Sequence, residues 1–241
     1  MGGVAGMAYN LGRNKKNAVY KNLKKRIIKC ELSPGMPINE AYFANELGVS
    51  TTPIREALRQ LEQDGLVENV PGRGSIISNI NSKDINGFFG LREFLECAAV
   101  RRAAMMADKT IFKAKKAEIL ECSADTDNAM ETVYDWRPWE DVHETIVITL
   151  DNQKLTDIFE GLMDHIKRIR NYIGNQSTAR PRDELLSEHL EILDAIIEGD
   201  PSSRTGGPLS LEQSCLFRCR SDFESKRVGF GICGIENSTP G

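Results

Sequence analysis

The stretch GVSTTPIREALRQLEQDGLVENVPGRG, residues 48–74, decides the fold of the first third of this chain. Within it, Ile54, Leu58 and Leu61 recur at the spacing that puts apolar side chains on one face of a helix. Gly48 stands just before that helix, where a sharp turn needs a residue that adopts left-handed backbone. The pattern therefore predicts a short helix that follows a tight turn and buries one face.

Two further helices are predicted before this stretch. Residues 18–30 carry a narrow apolar stripe with lysines around it, and a second helix is expected to begin at the N-cap Asn39 and to end at Gly48. Ala44 is small, Gly48 follows four residues later, and Ile54 follows six residues after that. This spacing is typical of a helix-turn-helix, in which two helices approach closely at a sharp turn.

Two short strands are predicted after the third helix. LVENV (66–70) and SIISNI (75–80) are joined by PGRG, a sequence that favours a turn. A two-stranded wing behind a helix-turn-helix is the arrangement of a winged DNA-binding domain. Residues 12–79 are therefore predicted to form a winged helix-turn-helix with three helices and a two-stranded wing.

The same stretch supplies the candidate DNA contacts. Arg55 and Arg59 lie one helical turn apart and away from the buried Leu58, so they are free to enter a major groove. Arg73, at the tip of the wing, can reach a minor groove or a phosphate. Hydroxyl side chains at the start of the third helix suit a phosphate as well. The candidates from this reasoning are Ser50, Thr51, Thr52, Arg55, Arg59 and Arg73.

Charge is divided unevenly along the chain. Residues 1–80 hold 11 Lys or Arg and 7 Asp or Glu, whereas the remainder holds 20 and 28. A basic front and an acidic back indicate that only the front meets a polyanion. A chance distribution of solvated charges is the alternative explanation for the same asymmetry.

The segment SPGMPINEAYFANELGVSTTPIREALRQLEQDGLVENVPGRGSII, residues 33–77, resembles the winged helix-turn-helix of the GntR family of bacterial transcription regulators. The resemblance implies that the residues matching Ser50, Thr52 and Arg55 contact operator DNA and that the glycine matching Gly72 approaches it. The family usually has arginine where this chain has Thr51. That difference removes one expected contact and predicts a different operator sequence.

From Ser82 onward the pattern becomes helical. Beyond the helix that starts there, helical periodicity covers about 112–130, 138–151, 154–173 and 182–198, and no alternating strand pattern appears. The fold class is therefore predicted to be mainly α, with a C-terminal antiparallel all-α bundle over residues 80–200. The tail, residues 201–241, is rich in Gly, Ser and Pro, so partial disorder or a changed reading frame would explain its loss of pattern.

Three segments of this helical part resemble the FCD ligand-sensing domain of the FadR subfamily. They are FGLREFLECAAVRRAA, HETIVITLDNQKL and SEHLEILDAIIEGD. The resemblance implies a domain that binds a small-molecule effector and holds two copies together as a homodimer.

Four polar residues interrupt the apolar faces of the predicted bundle. Arg92 lies one turn from Glu96, so it either pairs with an acid or anchors the carboxylate of an effector. His143, His165 and His189 each share a helix face with apolar residues, which predicts a metal or ligand pocket between the helices. Arg92, His143 and His189 are the candidate effector-binding residues.

The resemblance also implies a divalent metal, Zn or Ni, because many FCD domains hold one with an aspartate and three histidines. This chain has Trp139 at the aspartate position and Leu211 where the last histidine is expected. Glu140, three residues before His143, is the replacement ligand that shares its helix face, so the candidate metal set is Glu140, His143 and His189. We expect metal binding to be weaker than in the family, or absent.

Taken together, these patterns predict a cytoplasmic regulator that binds operator DNA as a dimer, is controlled by a small anionic metabolite and has no catalytic role. The sequence has no G-x-S-x-G, P-loop or H-E-x-x-H motif, no transmembrane stretch and no signal-peptide core, so neither an enzyme nor a membrane protein is expected. A mixed α/β effector domain and a regulator or architectural protein without an effector are the alternatives.

Overall fold

The computed structural model describes residues 3–124, 141–174 and 182–199. Trp139, Glu140, Leu211 and the tail 201–241 lie outside the described residues. The elements, in chain order, are α1 (Gly3–Ile28), α2 (Glu40–Glu46), α3 (Thr51–Gln63), β1 (Val67–Val70), β2 (Gly74–Ile77), α4 (Ser82–Met106), α5 (Lys109–Ala124), α6 (Val142–Ile148), α7 (Gln153–Gly174) and α8 (Arg182–Glu198).

The helix-turn-helix forms where the sequence predicts it. Asn39 caps α2, because its side-chain oxygen accepts a hydrogen bond of 3.0 Å from the backbone N–H of Tyr42. Gly48 has φ +63°, the left-handed backbone that a residue with a side chain adopts only with strain. The turn between α2 and α3 therefore depends on Gly48.

The wing is an antiparallel pair of four-residue strands, β1 and β2. Their register pairs Val67 with Ile77 and Val70 with Gly74. Gly72 and Gly74 have φ of +76° and +75°, so the turn at the wing tip relies on glycine at both positions. The strands are shorter than the predicted 66–70 and 75–80, but their order and pairing are as expected.

One apolar core holds the winged helix together. The exposed fractions of Leu23, Ile54, Leu61 and Ile77 are all 0%, so the faces of α1, α3 and β2 meet in a dry interior. Burial of each such side chain contributes about 1.5–3 kcal/mol. The whole cluster is Val19, Leu23, Ile27, Leu32, Phe43, Ala44, Ile54, Ala57, Leu58, Leu61, Leu66, Val67 and Ile77.

The described residues after residue 80 form the helices α4 to α8 and the short connections beside them, as predicted. Asn81 caps α4, since the Asn81 side chain accepts from the backbone N–H of Asp84 at 2.9 Å. Helix α6, Val142–Ile148, ends before the predicted end at residue 151. Helices α5 and α8 pack against each other, with Phe112, Ile119 and Leu193 fully buried.

The chain divides into two compact units. One contains Met1–Asn86 together with Met163–Asn175, and the other contains Gly87–Leu162 together with Gln176–Gly241. The second half of α7 therefore belongs with the winged helix, although the predicted boundaries 12–79 and 80–200 place all of α7 in the bundle. Among the described residues, no helix is long and apolar enough to cross a membrane.

Candidate functional site

Helix α3 presents a polar face to solvent. Its apolar face is buried, and the opposite side exposes Thr52, Arg55 and Arg59, while Thr51 is half-buried at the first turn. Ser50 is the N-cap by its extended backbone, but its exposed side chain makes no capping hydrogen bond. A hydroxyl and backbone N–H groups are thus presented at this helix N-terminus, an arrangement that suits a phosphate.

Glu40 holds one of these arginines. The Nε of Arg55 donates to Oε2 of Glu40 at 2.7 Å, linking the exposed face of α3 to the first residue of α2. The two side chains are 64% and 32% exposed, so the pair orients the guanidinium more than it stabilises the fold. Sequence reasoning missed Glu40, because no periodicity connects residues that lie 15 positions apart on different helices.

The wing tip exposes the second cationic group. Gly72 and Arg73 are both exposed between β1 and β2, and the backbone N–H of Arg73 donates to the carbonyl of Val70 at 3.0 Å to close the turn. The closed turn leaves the Arg73 side chain at the outer end of the wing. The winged unit therefore offers its cations at two separate places, on α3 and at the wing tip.

A second polar cluster lies inside the helical unit. Arg92 and Glu96 on α4 are 2% and 3% exposed, and the Nε of Arg92 donates to Oε1 of Glu96 at 2.6 Å. His143 on α6, 8% exposed, places its Nδ1 at 3.2 Å from the same oxygen. His189 on α8 is half-buried, and its Nε2 lies 3.2 Å from Nε2 of His143. Three helices thus bring together all three predicted effector residues.

Hydrogen-bond chemistry assigns the roles within this cluster. Nη2 of Arg92 lies 2.9 Å from Nε2 of His143, and a guanidinium can only donate. Nε2 of His143 is therefore an acceptor, and its Nδ1–H donates to Glu96. Glu96 selects the tautomer of the histidine while also pairing the buried arginine.

A neighbouring charge and a hydrogen bond control the ionisation of Glu96. Burial alone would raise the pKa of this carboxyl, but the Arg92 guanidinium and the hydrogen bond from Nδ1–H of His143 outweigh burial and hold the pKa well below its usual range. Glu96 is therefore a carboxylate at neutral pH. The sequence offered Glu96 only as one partner for Arg92, and the structure confirms that pairing.

One other residue named from the sequence lies elsewhere. His165 does not join the cluster, so the prediction of three histidines in one pocket is wrong. Its Nε2 lies 2.8 Å from the carbonyl oxygen of Asp64, and burial lowers its pKa. The side chain of Asp141, two residues before His143, is bound to another helix, because its Oδ2 accepts from Nζ of Lys115 on α5 at 2.7 Å.

The described residues do not form a metal site by themselves. The 3.2 Å between the Nε2 atoms of His143 and His189 is close to the separation of two ligands on one zinc ion. However, Arg92 directs a permanent cation at the nitrogen of His143 that would bind the metal. No group of three or more His, Cys, Asp or Glu within 3–124, 141–174 and 182–199 could hold an ion. The third candidate ligand, Glu140, lies outside the described residues.

Two family models match the chain. Residues 15–77 match the model described as bacterial regulatory proteins, gntR family, and residues 88–203 match the model described as the FCD domain. The first covers the winged helix and the second covers the helical segments that carry the Arg92–His143–His189 cluster. The match over both parts is the architecture that the sequence resemblance implied.

Curated relatives extend over most of the chain. An uncharacterized HTH-type transcriptional regulator, YdhC of Bacillus subtilis (strain 168), is 32% identical over 179 residues, which cover 73% of this chain and 78% of the relative. The HTH-type transcriptional repressor RspR of Escherichia coli (strain K12) is 28% identical over 184 residues, 76% of this chain and 78% of the relative.

Solved structures support the same fold. A GntR transcriptional regulator from Rhodococcus sp. RHA1 has a TM-score of 0.64 at 19% identity, covering 92% of this chain and 100% of the other. McbR/YncC of E. coli has the same TM-score and identity over 89% of this chain and 95% of its own.

The buried ion pair yields a test of the cluster. Replacing Glu96 by Gln leaves the Arg92 charge without its counter-ion, so the free energy of unfolding at pH 7 should fall by about 3–5 kcal/mol. Because the folded-state pKa is lowered, the contribution of Glu96 is present above the unfolded-state pKa, near 4.3, and is lost as the pH falls. The difference between wild type and variant should shrink by about 1 kcal/mol between pH 7 and pH 3.5.

Chemical denaturation at several pH values measures this difference. Glu93→Gln, a half-buried carboxyl on the same helix, is the matched control and should change stability by less than about 0.5 kcal/mol. A Glu96→Gln loss that is as small as that of the control, or that stays constant with pH, would contradict the assigned ion pair.

Proposed function

The chain belongs to the GntR family of bacterial transcription regulators and carries an FCD domain, and from this premise we propose a ligand-responsive regulator that binds a near-palindromic operator as a homodimer. The family and the curated relatives are transcription regulators, not enzymes. We place its action in the cytoplasm, where its operator DNA would be.

The observation that carries this proposal is the polar outer face of α3. A helix whose apolar side is fully buried and whose other side exposes Thr52, Arg55 and Arg59 has the form of a recognition helix. Arg55 suits a bidentate contact to guanine in the major groove, and Ser50 with Thr51 suits a flanking phosphate. Arg73 on the wing supplies a further contact. It lies next to Gly72, where the protein backbone would approach the DNA.

Two arginine substitutions test this interface. Arg55→Ala should weaken binding to the operator by about 1–3 kcal/mol while leaving binding to unrelated DNA nearly unchanged, because a base contact is lost. Arg73→Ala should weaken binding to all sequences. It should also reduce the slope of log affinity against log salt concentration by the amount expected for one phosphate contact. Fluorescence anisotropy over a salt series measures both effects.

Lys113→Ala serves as the control for loss of one positive charge, since Lys113 is exposed on α5, in the helical unit. If both arginine variants bind like this control, the face assigned to DNA is the wrong one.

A dimer is proposed because a single winged helix buries too little DNA surface for useful affinity. Two half-sites about one helical turn apart require two winged helices that are held in a fixed orientation relative to each other. Helix α4 exposes apolar side chains at helical spacing: Leu91 is 44% exposed, Phe94 75% and Met105 59%. We propose this stripe as the contact between two copies, since water-exposed apolar side chains in a row favour association.

Phe94→Glu tests the assembly. A charge in the centre of the α4 stripe should shift the chain from dimer to monomer at micromolar concentration, and operator affinity should fall because only one half-site is then engaged. Light scattering reports the mass, and anisotropy reports the affinity. Ile148→Glu, which introduces the same charge at a 53% exposed position on α6, should leave the dimer intact. A wild-type monomer with full operator affinity would refute the dimer.

The buried cluster is the proposed effector site. Arg92 is the one permanent cation among the three candidate effector residues, and a guanidinium suits a carboxylate by bidentate hydrogen bonding. His143 and His189 add ring nitrogens that can hydrogen-bond the ligand. His189 is half-buried, so solvent reaches the cluster from the side of this residue. Because Arg92 already occupies the acceptor nitrogen of His143, the geometry supports a small carboxylate rather than a divalent cation as the ligand. Any metal would have to displace Arg92 and recruit Glu140.

A carboxylate panel with metal analysis tests the site. A mono- or dicarboxylic acid that binds should raise the melting temperature and change operator affinity, and Arg92→Lys should abolish both effects because a lysine cannot make the bidentate contact. Arg102→Lys, at an exposed position of the same helix, should change neither. Elemental analysis should find less than one Zn or Ni per chain.

One tightly held metal per chain that is lost in a His143→Ala, His189→Ala double variant would overturn the anion assignment. A regulator or architectural protein without an effector is the remaining alternative. Failure of every panel member, with intact operator binding, would favour it.

A further inference from the structure

The second half of α7 is part of the winged unit, and four of its polar side chains contact that unit. They are Asp164, His165, Arg168 and Asn171. Spacings of three and four residues place Asp164, Arg168 and Asn171 on one helix face, with His165 beside it. None of these contacts is explained by the effector site or by the DNA-facing residues.

Three of these side chains reach the ends of elements that build the DNA-binding surface. Asn171 donates from Nδ2 to the carbonyl of Ile28, the last residue of α1, at 2.7 Å. His165 Nε2 lies 2.8 Å from the carbonyl of Asp64, the C-cap residue directly after α3. Carbonyls at helix C-termini lack partners within their own helix, so donors from α7 satisfy groups that would otherwise need water.

Arg168 makes the most buried of these contacts. Its side chain is 3% exposed, its Nη1 donates to Oγ of Ser78 at 2.8 Å, and its Nη2 donates to the carbonyl of the same residue. Ser78 directly follows β2, and its Oγ donates onward to the carbonyl of Gly65 at 2.9 Å. Gly65 lies between α3 and β1. A single chain of hydrogen bonds thus joins α7 to the base of the wing and to the end of the recognition helix.

Close packing and an ion pair reinforce the same contact. A side chain at Gly65 would lie 3.6 Å from the ring of His165, so α7 approaches the backbone at the end of α3 directly. Asp164 accepts from Nζ of Lys24 on α1 at 2.6 Å. The contacts therefore reach α1, the end of α3 and the base of the wing from one helix.

We propose that the second half of α7 positions the recognition helix and the wing relative to each other, with Arg168 as the positioning residue for operator reading. This inference rests on the proposed DNA-binding function. Base contacts require α3 and the wing tip to meet the duplex in a fixed relation, whereas phosphate contacts tolerate small displacements. Loss of the Arg168 bonds to Ser78 should consequently reduce sequence selectivity before it reduces general affinity for DNA.

Arg168→Met in the full-length chain tests this role. It keeps much of the length and apolar volume of the side chain but removes every donor. We expect operator affinity to fall roughly tenfold or more while affinity for a scrambled duplex stays within about twofold. A merely structural role would lower both affinities equally, because it would reduce the folded fraction. Lys167→Met, at the exposed neighbouring position on α7, should change neither.

A double-variant cycle tests whether Arg168 acts through its hydrogen bonds to Ser78. If Arg168 acts through Ser78, the Arg168→Met, Ser78→Ala double variant should bind operator no more weakly than Arg168→Met alone. Additive losses would overturn the proposed route. If circular dichroism shows that Arg168→Met does not fold, Asn171→Ala, at a half-buried position, gives the same comparison of operator with scrambled duplex.

If the wild-type chain binds operator no more tightly than a scrambled duplex, the DNA-binding function itself is refuted. If the folded Arg168→Met or Asn171→Ala variant keeps the full wild-type preference for operator over scrambled duplex, only the positioning role is refuted.

Discussion

The burial of one face of α3 is the constraint on which the DNA-binding surface depends. With Ile54 and Leu61 fully enclosed and Leu58 nearly so, α3 cannot rotate about its axis without exposing apolar surface to water. The direction of Arg55 and Arg59 follows from that packing, since they lie on the opposite side of the same helix. The left-handed turn at Gly48 then sets where α3 begins. Core packing thus decides which side chains of α3 are available for the proposed contact with DNA.

The helical unit meets a different constraint, the cost of a buried charge. Arg92 is almost fully enclosed, and such a cation is tolerated only with a counter-ion and further hydrogen bonds. Glu96 supplies the charge, and His143 supplies an acceptor in the tautomer that Glu96 selects. The cluster is therefore internally compensated before any ligand binds. A ligand must compete with those contacts, which favours one with the charge and geometry to replace a carboxylate.

Local patterns predicted the winged helix well. The N-cap at Asn39, the turn at Gly48 and the wing between residues 67 and 77 each depend on neighbours within a few positions, and all are present. The pairing of Arg92 with Glu96 was also accessible, because it lies one helical turn apart. The existence of the later helices was predicted, although α6 ends earlier than its periodicity indicated.

Contacts between distant segments were not accessible in the same way. Glu40 with Arg55, and Arg168 with Ser78, join residues on different elements, and nothing in the local pattern of either partner indicates the other. The prediction that His165 shares a pocket with His143 and His189 is an example of the resulting error. Its apolar helix face resembled those of the other two histidines, but it contacts the end of α3. Periodicity identifies which face of a helix is covered and leaves open which element covers it.

Operator binding as proposed requires α3 to enter the major groove in two copies of the chain. Hydroxyl-radical footprinting of the wild-type protein on DNA fragments selected for binding tests this most directly. We expect two protected segments related by approximate two-fold symmetry, with centres about 10 base pairs apart or a multiple of that distance. Protection of a single segment, or uniform protection without sequence preference, would contradict it.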